Sequence, residues 1–341
     1  MQGGKRYLQS GLFITCMITI RKRVLILFLC LLVLPSAAHV PEIGTGDIVA
    51  VPDPLKSYAW YGTLGGEDAA DYYVLEMEAG QELRLSISSP DEGVRPYLAV
   101  TGPGIGTFDT VPEYVTVPAG SGVAVVAPAG DPEPSYEPFT PMSTYQVSRF
   151  SQLMPGSGTY SVVVYGDEGR YILATGYLEE FSAAEWVLVP VQVMAVRLWQ
   201  GQSPVLVMAP IVLTLIAGLV WLYRREREVA PGRIRYPVWT GSSAGFLYIG
   251  TGLLMLIQMA RALSQSGPEG TAIVTLVLAF LPLALGAGAV RVASGMGEKI
   301  TIQARIWMLA IGGLGLAVWA GLLVGPLLAV VTGILPERRA G

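Results

Sequence analysis

The sequence predicts a mixed fold: an extracytoplasmic, acidic all-β sandwich followed by an α-helical transmembrane bundle of four spans. Three observations carry this. Only 14% of the 341 residues are charged and 52% are hydrophobic, whereas a soluble chain carries about 25% charged residues. The apolar residues concentrate in long uncharged blocks after residue 200, while short alternating runs fill residues 55–180. The charge is also divided: residues 40–186 hold 21 acidic against 5 basic side chains, a net of −16, and the rest of the chain holds 5 against 17. An acidic outer part solvates well and repels nucleic acid and anionic lipid, so nucleic acid is not an expected partner.

The first 38 residues read as an address. Arg21, Lys22 and Arg23 precede the apolar run 24–34, and Pro35, Ser36, Ala37 and Ala38 follow. This is the order of a signal peptide, and the run is shorter than the ~20 residues of a span. Cleavage is expected after Ala38, with an uncleaved anchor as the alternative and Met17 as a possible true start. Cys16 and Cys30 both fall in this leader, so the outer domain has neither thiol nor disulfide.

The outer domain, residues 40–181, alternates with the two-residue period of strands. Residues 72–78 and 83–88 are strands separated by Ala79-Gly80; further strands are expected at 97–100, 122–127, 160–165 and 171–175. Short strands punctuated by Gly and Pro predict a sandwich. Asp167-Glu168 before Gly169 reads as a hairpin turn. The Pro- and acid-rich stretch 128–141 reads as a long surface loop.

Gly62-Thr63-Leu64, Asp71-Tyr72-Tyr73 and Glu78-Ala79-Gly80-Gln81-Glu82-Leu83 resemble the opening of pre-peptidase C-terminal-type domains. The runs 158–164 and 169–173 look like their closing strands. The resemblance covers roughly residues 57–176. It implies a jelly-roll-like sandwich attached to a surface protein, and hands over no catalytic residue. The whole layout also resembles uncharacterised archaeal and bacterial membrane proteins.

The chemistry on offer is narrow. His39 is the one histidine, so a His-based triad, haem ligation by paired histidines and ordinary zinc or copper sites are not expected. No catalytic constellation stands out, and no cofactor is implied beyond calcium. Glu67, Asp68 and Asp71 share one loop and could hold calcium, which takes several carboxylate and carbonyl oxygens; the competing reading is a solvated acidic turn. The many tyrosines suit half-buried strand positions, or stacking on sugars.

The membrane part opens with Ser182-Ala183-Ala184-Glu185, a capping box. A juxtamembrane helix is expected over 182–200, bent at Pro190, with Trp186 and Trp199 at the interface and Arg197 snorkelling to water. Four spans follow at 204–223, 238–260, 271–290 and 306–335, the last kinked near Pro326. Arg224, Arg225, Arg227, Arg233 and Arg235 lie between the first two, and Arg291, Lys299 and Arg305 between the last two. The positive-inside rule assigns both groups to the cytoplasm of a plasma membrane, leaving Arg338 and Arg339 outside against the rule. No span carries a central ionisable residue, which argues against a pump or proton-coupled transporter. Gly241 with Gly245 and Gly321 with Gly325 have the spacing of close helix contact, within this bundle or with another membrane subunit.

The expected function is a membrane-anchored binding or adhesion module, its partners membrane lipid and an outer ligand not named by the residues. The alternatives are an accessory subunit bound to another membrane protein and, with least support, a carboxylate-dependent hydrolase.

Overall fold

The computed structural model describes residues 39–44, 48–66, 68–106, 109–297 and 300–336. The leader with Met17, Cys16 and Cys30, and also Glu67, Lys299, Arg338 and Arg339, lie outside the described residues.

The β domain contains β1 (Val40–Ile43), β2 (Ile48–Ala50), β3 (Tyr58–Leu64), β4 (Ala70–Met77), β5 (Glu82–Ser89), β6 (Tyr97–Gly102), β7 (Gly122–Val126), β8 (Pro134–Glu137), β9 (Met142–Leu153), β10 (Gly158–Tyr165) and β11 (Gly169–Thr175). They form two sheets, ordered β1-β3-β11-β5-β9-β8 and β2-β4-β10-β6-β7. The alternation explains the stacking, since successive strand residues point to opposite faces. Tyr73, Leu75 and Met77 of β4, Leu83, Leu85 and Ile87 of β5, and Tyr160, Val162 and Val164 of β10 fill the space between the sheets. The opposite face of the five-stranded sheet is covered by Val111, Tyr114 and Val115 from the segment before β7.

Two expectations are corrected here. The turn at Asp167-Glu168 does not close a hairpin: β10 and β11 belong to different sheets, so the turn passes the chain from one layer to the other. The stretch 128–141 is not simply a surface loop. It contains β8, which pairs antiparallel with β9, and its prolines fall where an edge strand tolerates them.

Helix α1 (Ala183–Trp199) starts from the capping box, formed in both directions by Ser182 and Glu185. It lies on the outer face of the six-stranded sheet, where Val196 packs with Ala59, Tyr61, Met142 and Ile172. Lys56 holds its first turn through Glu185 at 2.6 Å. Arg197 does not snorkel: it is 3% exposed and donates through Nη1 to Pro141 O at 2.8 Å, because β8 and β9 close over it.

Three helices are long and apolar enough to cross a membrane: α2 (Pro204–Val229), α3 (Tyr236–Ser266) and α4 (Ala272–Gly295). The fourth expected span divides into two shorter apolar helices, α5 (Ile302–Ala317) and α6 (Val324–Ile334). At 1.5 Å per residue α5 extends about 24 Å, short of the ~30 Å hydrocarbon layer. The chain turns back between them through Trp319, Gly321 and Leu322, all at positive φ. Arg305 Nη1 then donates to Gly333 O at 3.2 Å, so the start of α5 and the end of α6 meet at one level. The cause is Tyr248 of α3. A Cβ on Gly315, Gly321 or Gly325 would stand 2.2 to 2.5 Å from its ring or hydroxyl; the three glycines let the hairpin fold around this buried side chain. Thr251 Oγ1 accepts from Gly321 N at 2.9 Å, supplying a partner that the bent backbone lost.

The sandwich sits on the bundle. Tyr136 of β8 hydrogen-bonds Thr275 of α4 at 2.6 Å, and Tyr136 N donates to Glu269 at 2.8 Å. Trp319 at the hairpin apex donates to Trp186 O at 2.8 Å, with ring centroids 4.4 Å apart.

Candidate binding cleft between sandwich and bundle

Where β11, the β8–β9 turn and the end of α3 converge, a polar cleft of about 110 Å³ opens. From α3 it receives Gln258, Arg261, Ala262 and Gln265, whose spacing of three and four puts them on one helix face. From β11 comes Arg170, which alternation places outward. Its Nε donates to Asp91 Oδ2 at 2.8 Å and its Nη2 to Asp91 Oδ1, while Nη1 reaches Trp199 O at 3.3 Å. This bidentate fork leaves Asp91 committed to Arg170.

Gln258 and Gln202 exchange hydrogen bonds of 2.8 and 3.0 Å. Gln202 also donates to Gln200 Oε1 at 2.9 Å, and the same oxygen accepts from Arg197 Nη1 at 3.2 Å. The amides therefore relay from the buried Arg197 to the cleft wall. Ser143 completes the lining; it is 5% exposed and its hydroxyl has no partner among the described residues. A buried polar atom left so costs about 1–3 kcal/mol.

The electrostatics are unusual for so acidic a domain. Neither Arg197 nor Arg261 belongs to the five ion pairs among the described residues. Burial pushes the Arg197 guanidinium down to about 10, and the charge of Arg261 pushes the same way. It stays protonated at neutral pH. Arg261 thus lines the cleft without an ion-pair partner among the described residues. Arg197 lies behind the wall and reaches it through Gln200 and Gln202, and the Asp91 carboxylate in the lining is held by Arg170. That arrangement can receive a small anionic group.

The residues singled out in the sequence lie elsewhere. Glu67 is outside the described residues. Asp71 has the inward parity of Tyr73 and accepts from Tyr171 Oη at 2.5 Å, and Tyr171 in turn meets Tyr73 Oη at 2.8 Å. Asp68 lies near enough to Tyr114 to raise its hydroxyl's proton affinity, after burial. Among the described residues no cluster of three metal-ligating side chains occurs. Gly241 and Gly245 face Ala293 and Gly286 of α4, and Gly321 and Gly325 face Tyr248. Arg261 and Gln258 are not among the residues singled out in the sequence. The signal that could have joined them is their spacing with Ala262 and Gln265.

No protein-family model and no curated protein sequence matches the chain. Among solved structures, the crystal structure of PliG from Aeromonas hydrophila, a periplasmic inhibitor of g-type lysozyme, is similar at 19% identity and TM-score 0.24, covering 40% of this chain and 97% of that one. The pre-peptidase C-terminal domain of a Bacillus anthracis collagenase is similar at 16% identity and TM-score 0.23, covering 38% and 95%. The β-sandwich assignment rests on the strand order itself.

Proposed function

We propose that this chain is a membrane-anchored, extracytoplasmic binding module whose ligand presents an anionic group, a carboxylate or a phosphate, to the cleft between sandwich and bundle. The observation that carries the reading is Arg261, a cation that lines the cleft and belongs to no ion pair among the described residues. The Asp91 carboxylate of the lining is taken up by Arg170, and the buried Arg197 adds positive charge behind the amide wall. An arriving oxyanion would pair with Arg261 and offset the charge it exerts on Arg197, and Ser143 would gain the partner it lacks. Charge-assisted hydrogen bonds of this kind are roughly twice as strong as neutral ones. Loading is tested by the melting midpoint of the full chain in neutral detergent with inorganic phosphate. Phosphate also stabilises proteins nonspecifically, so the comparison is with Arg261→Ala at the same concentration. A larger rise in the wild type supports the reading, and equal rises refute it.

A second reading, an accessory subunit of a larger membrane complex, is favoured by α2. Leu206, Leu213 and Ile216 on this helix are 73, 64 and 53% exposed, which leaves a face for lipid or for another membrane helix. Purification in mild detergent with a stoichiometric membrane partner supports it; a solitary chain counts against it.

A further inference from the structure

At the end of the bundle away from the sandwich, α2, α3 and α4 leave a groove of about 550 Å³, within the roughly 300–1,000 Å³ of small-molecule sites. Its walls are Trp221, Phe246, Ile249, Ala287 and Val290, and its end is Arg225, Arg291 and Ser294. Phe246 forms the floor: it is 6% exposed and stands edge-on to Trp221, with ring centroids 6.3 Å apart. Gly218 makes this possible, because a Cβ there would lie 2.4 Å from the Phe246 ring. Arg225 is held in place, donating to Ser294 Oγ at 2.6 Å with its guanidinium 5.5 Å from the centre of the Trp221 ring. Arg291 is exposed, and neither arginine belongs to an ion pair among the described residues. The nearest carboxylate in sequence, Glu226, is bound in both oxygens by Arg235.

The apolar walls and the cationic end meet in one groove on helices long and apolar enough to cross a membrane. We propose that this groove holds one anionic phospholipid, its acyl chain along Trp221, Phe246 and Ile249 and its phosphate between Arg225 and Arg291. Charge complementarity selects the occupant. A neutral apolar partner would leave two arginines facing it without compensation, whereas a lipid phosphate answers both and its chain covers the walls. Basic pockets between transmembrane helices take anionic headgroups on this logic, each arginine near the membrane surface contributing about fivefold in affinity.

Quenching of Trp221 by brominated acyl chains tests the proposal in the full chain, with Trp221→Phe subtracted to isolate that ring. Brominated phosphatidylglycerol should quench at a several-fold lower mole fraction than brominated phosphatidylcholine, and Arg225→Ala with Arg291→Ala should abolish the difference. Equal quenching by the two lipids in the wild type, or a preference that survives both substitutions, overturns it. Should the double variant not fold, Ala287→Phe fills the groove from an exposed position with both charges kept. Phosphatidylglycerol must then lose its advantage; undiminished quenching overturns the proposal.

Discussion

Glu137 ends β8, where its Oε1 accepts from Phe139 N at 3.1 Å and burial raises its proton affinity above the ordinary carboxylate value. Within the window between the ordinary value and the raised native one, the folded chain holds this proton more tightly than the unfolded chain. Stability therefore falls as pH rises through that window, and the deficit persists above it. Glu137→Gln keeps an acceptor without the charge. It should raise the melting midpoint at pH 8 and leave it unchanged at pH 4; equal gains at both would contradict the assignment. Glycines divide in the same way by what surrounds them. A Cβ at Gly245 would stand 2.6 Å from Gly286 O, whereas nothing lies within 4 Å of one at Gly313. Gly245→Val should cost about 1–3 kcal/mol by overpacking, and Gly313→Ala should be neutral or stabilising, both read from denaturation in detergent. The small-residue spacing at Gly241 and Gly245 was visible in the sequence; the neighbours, Ala293 and Gly286, were not, because they come from the next helix, α4.

The α5–α6 hairpin shows where reading by element succeeds and fails. Helices α2, α3 and α4 were legible because each has enough apolar residues to cross a bilayer. The hairpin was not, because hydropathy measures length without direction. Residues 316–323 are as apolar as the helices around them, so the reversal leaves no polar mark. It is specified by fit. Positive φ at Trp319 and Leu322 costs about 1–3 kcal/mol each, offset by the Trp319–Trp186 contact and by packing around Tyr248. Tyr248→Ala should remove the pivot and cost about 3–5 kcal/mol, as large-to-small core changes do. Tyr248→Phe loses only a 3.3 Å bond to Ile311 O and should cost far less. The hairpin also predicts sidedness. A cysteine at Leu335, in a chain lacking Cys16 and Cys30, should be modified by an impermeant reagent from the same side as one at Arg233. Modification from opposite sides would restore four full spans.

At the scale of the whole molecule, the division of charge announced two parts, and the strand and span periodicities gave each its class. Their contact was hidden, since Tyr136 and Thr275, or Arg197 and Pro141, are separated in sequence and join only when β8 and α1 close on the bundle. The stretch 128–141 looked like solvated loop because its prolines and acids are ordinary surface residues; its role follows from what lies beneath it. The cleft belongs to this contact. It needs Arg170 from β11, Ser143 from β9 and Arg261 from α3, and no single stretch contains them. The most direct test is diffraction from crystals of the full chain soaked in selenate, a phosphate-sized oxyanion located by its anomalous signal. An anomalous peak between Arg261 and Ser143, absent in Arg261→Ala, is the predicted result. Peaks confined to other surfaces, or one in the cleft that survives Arg261→Ala, would contradict the account.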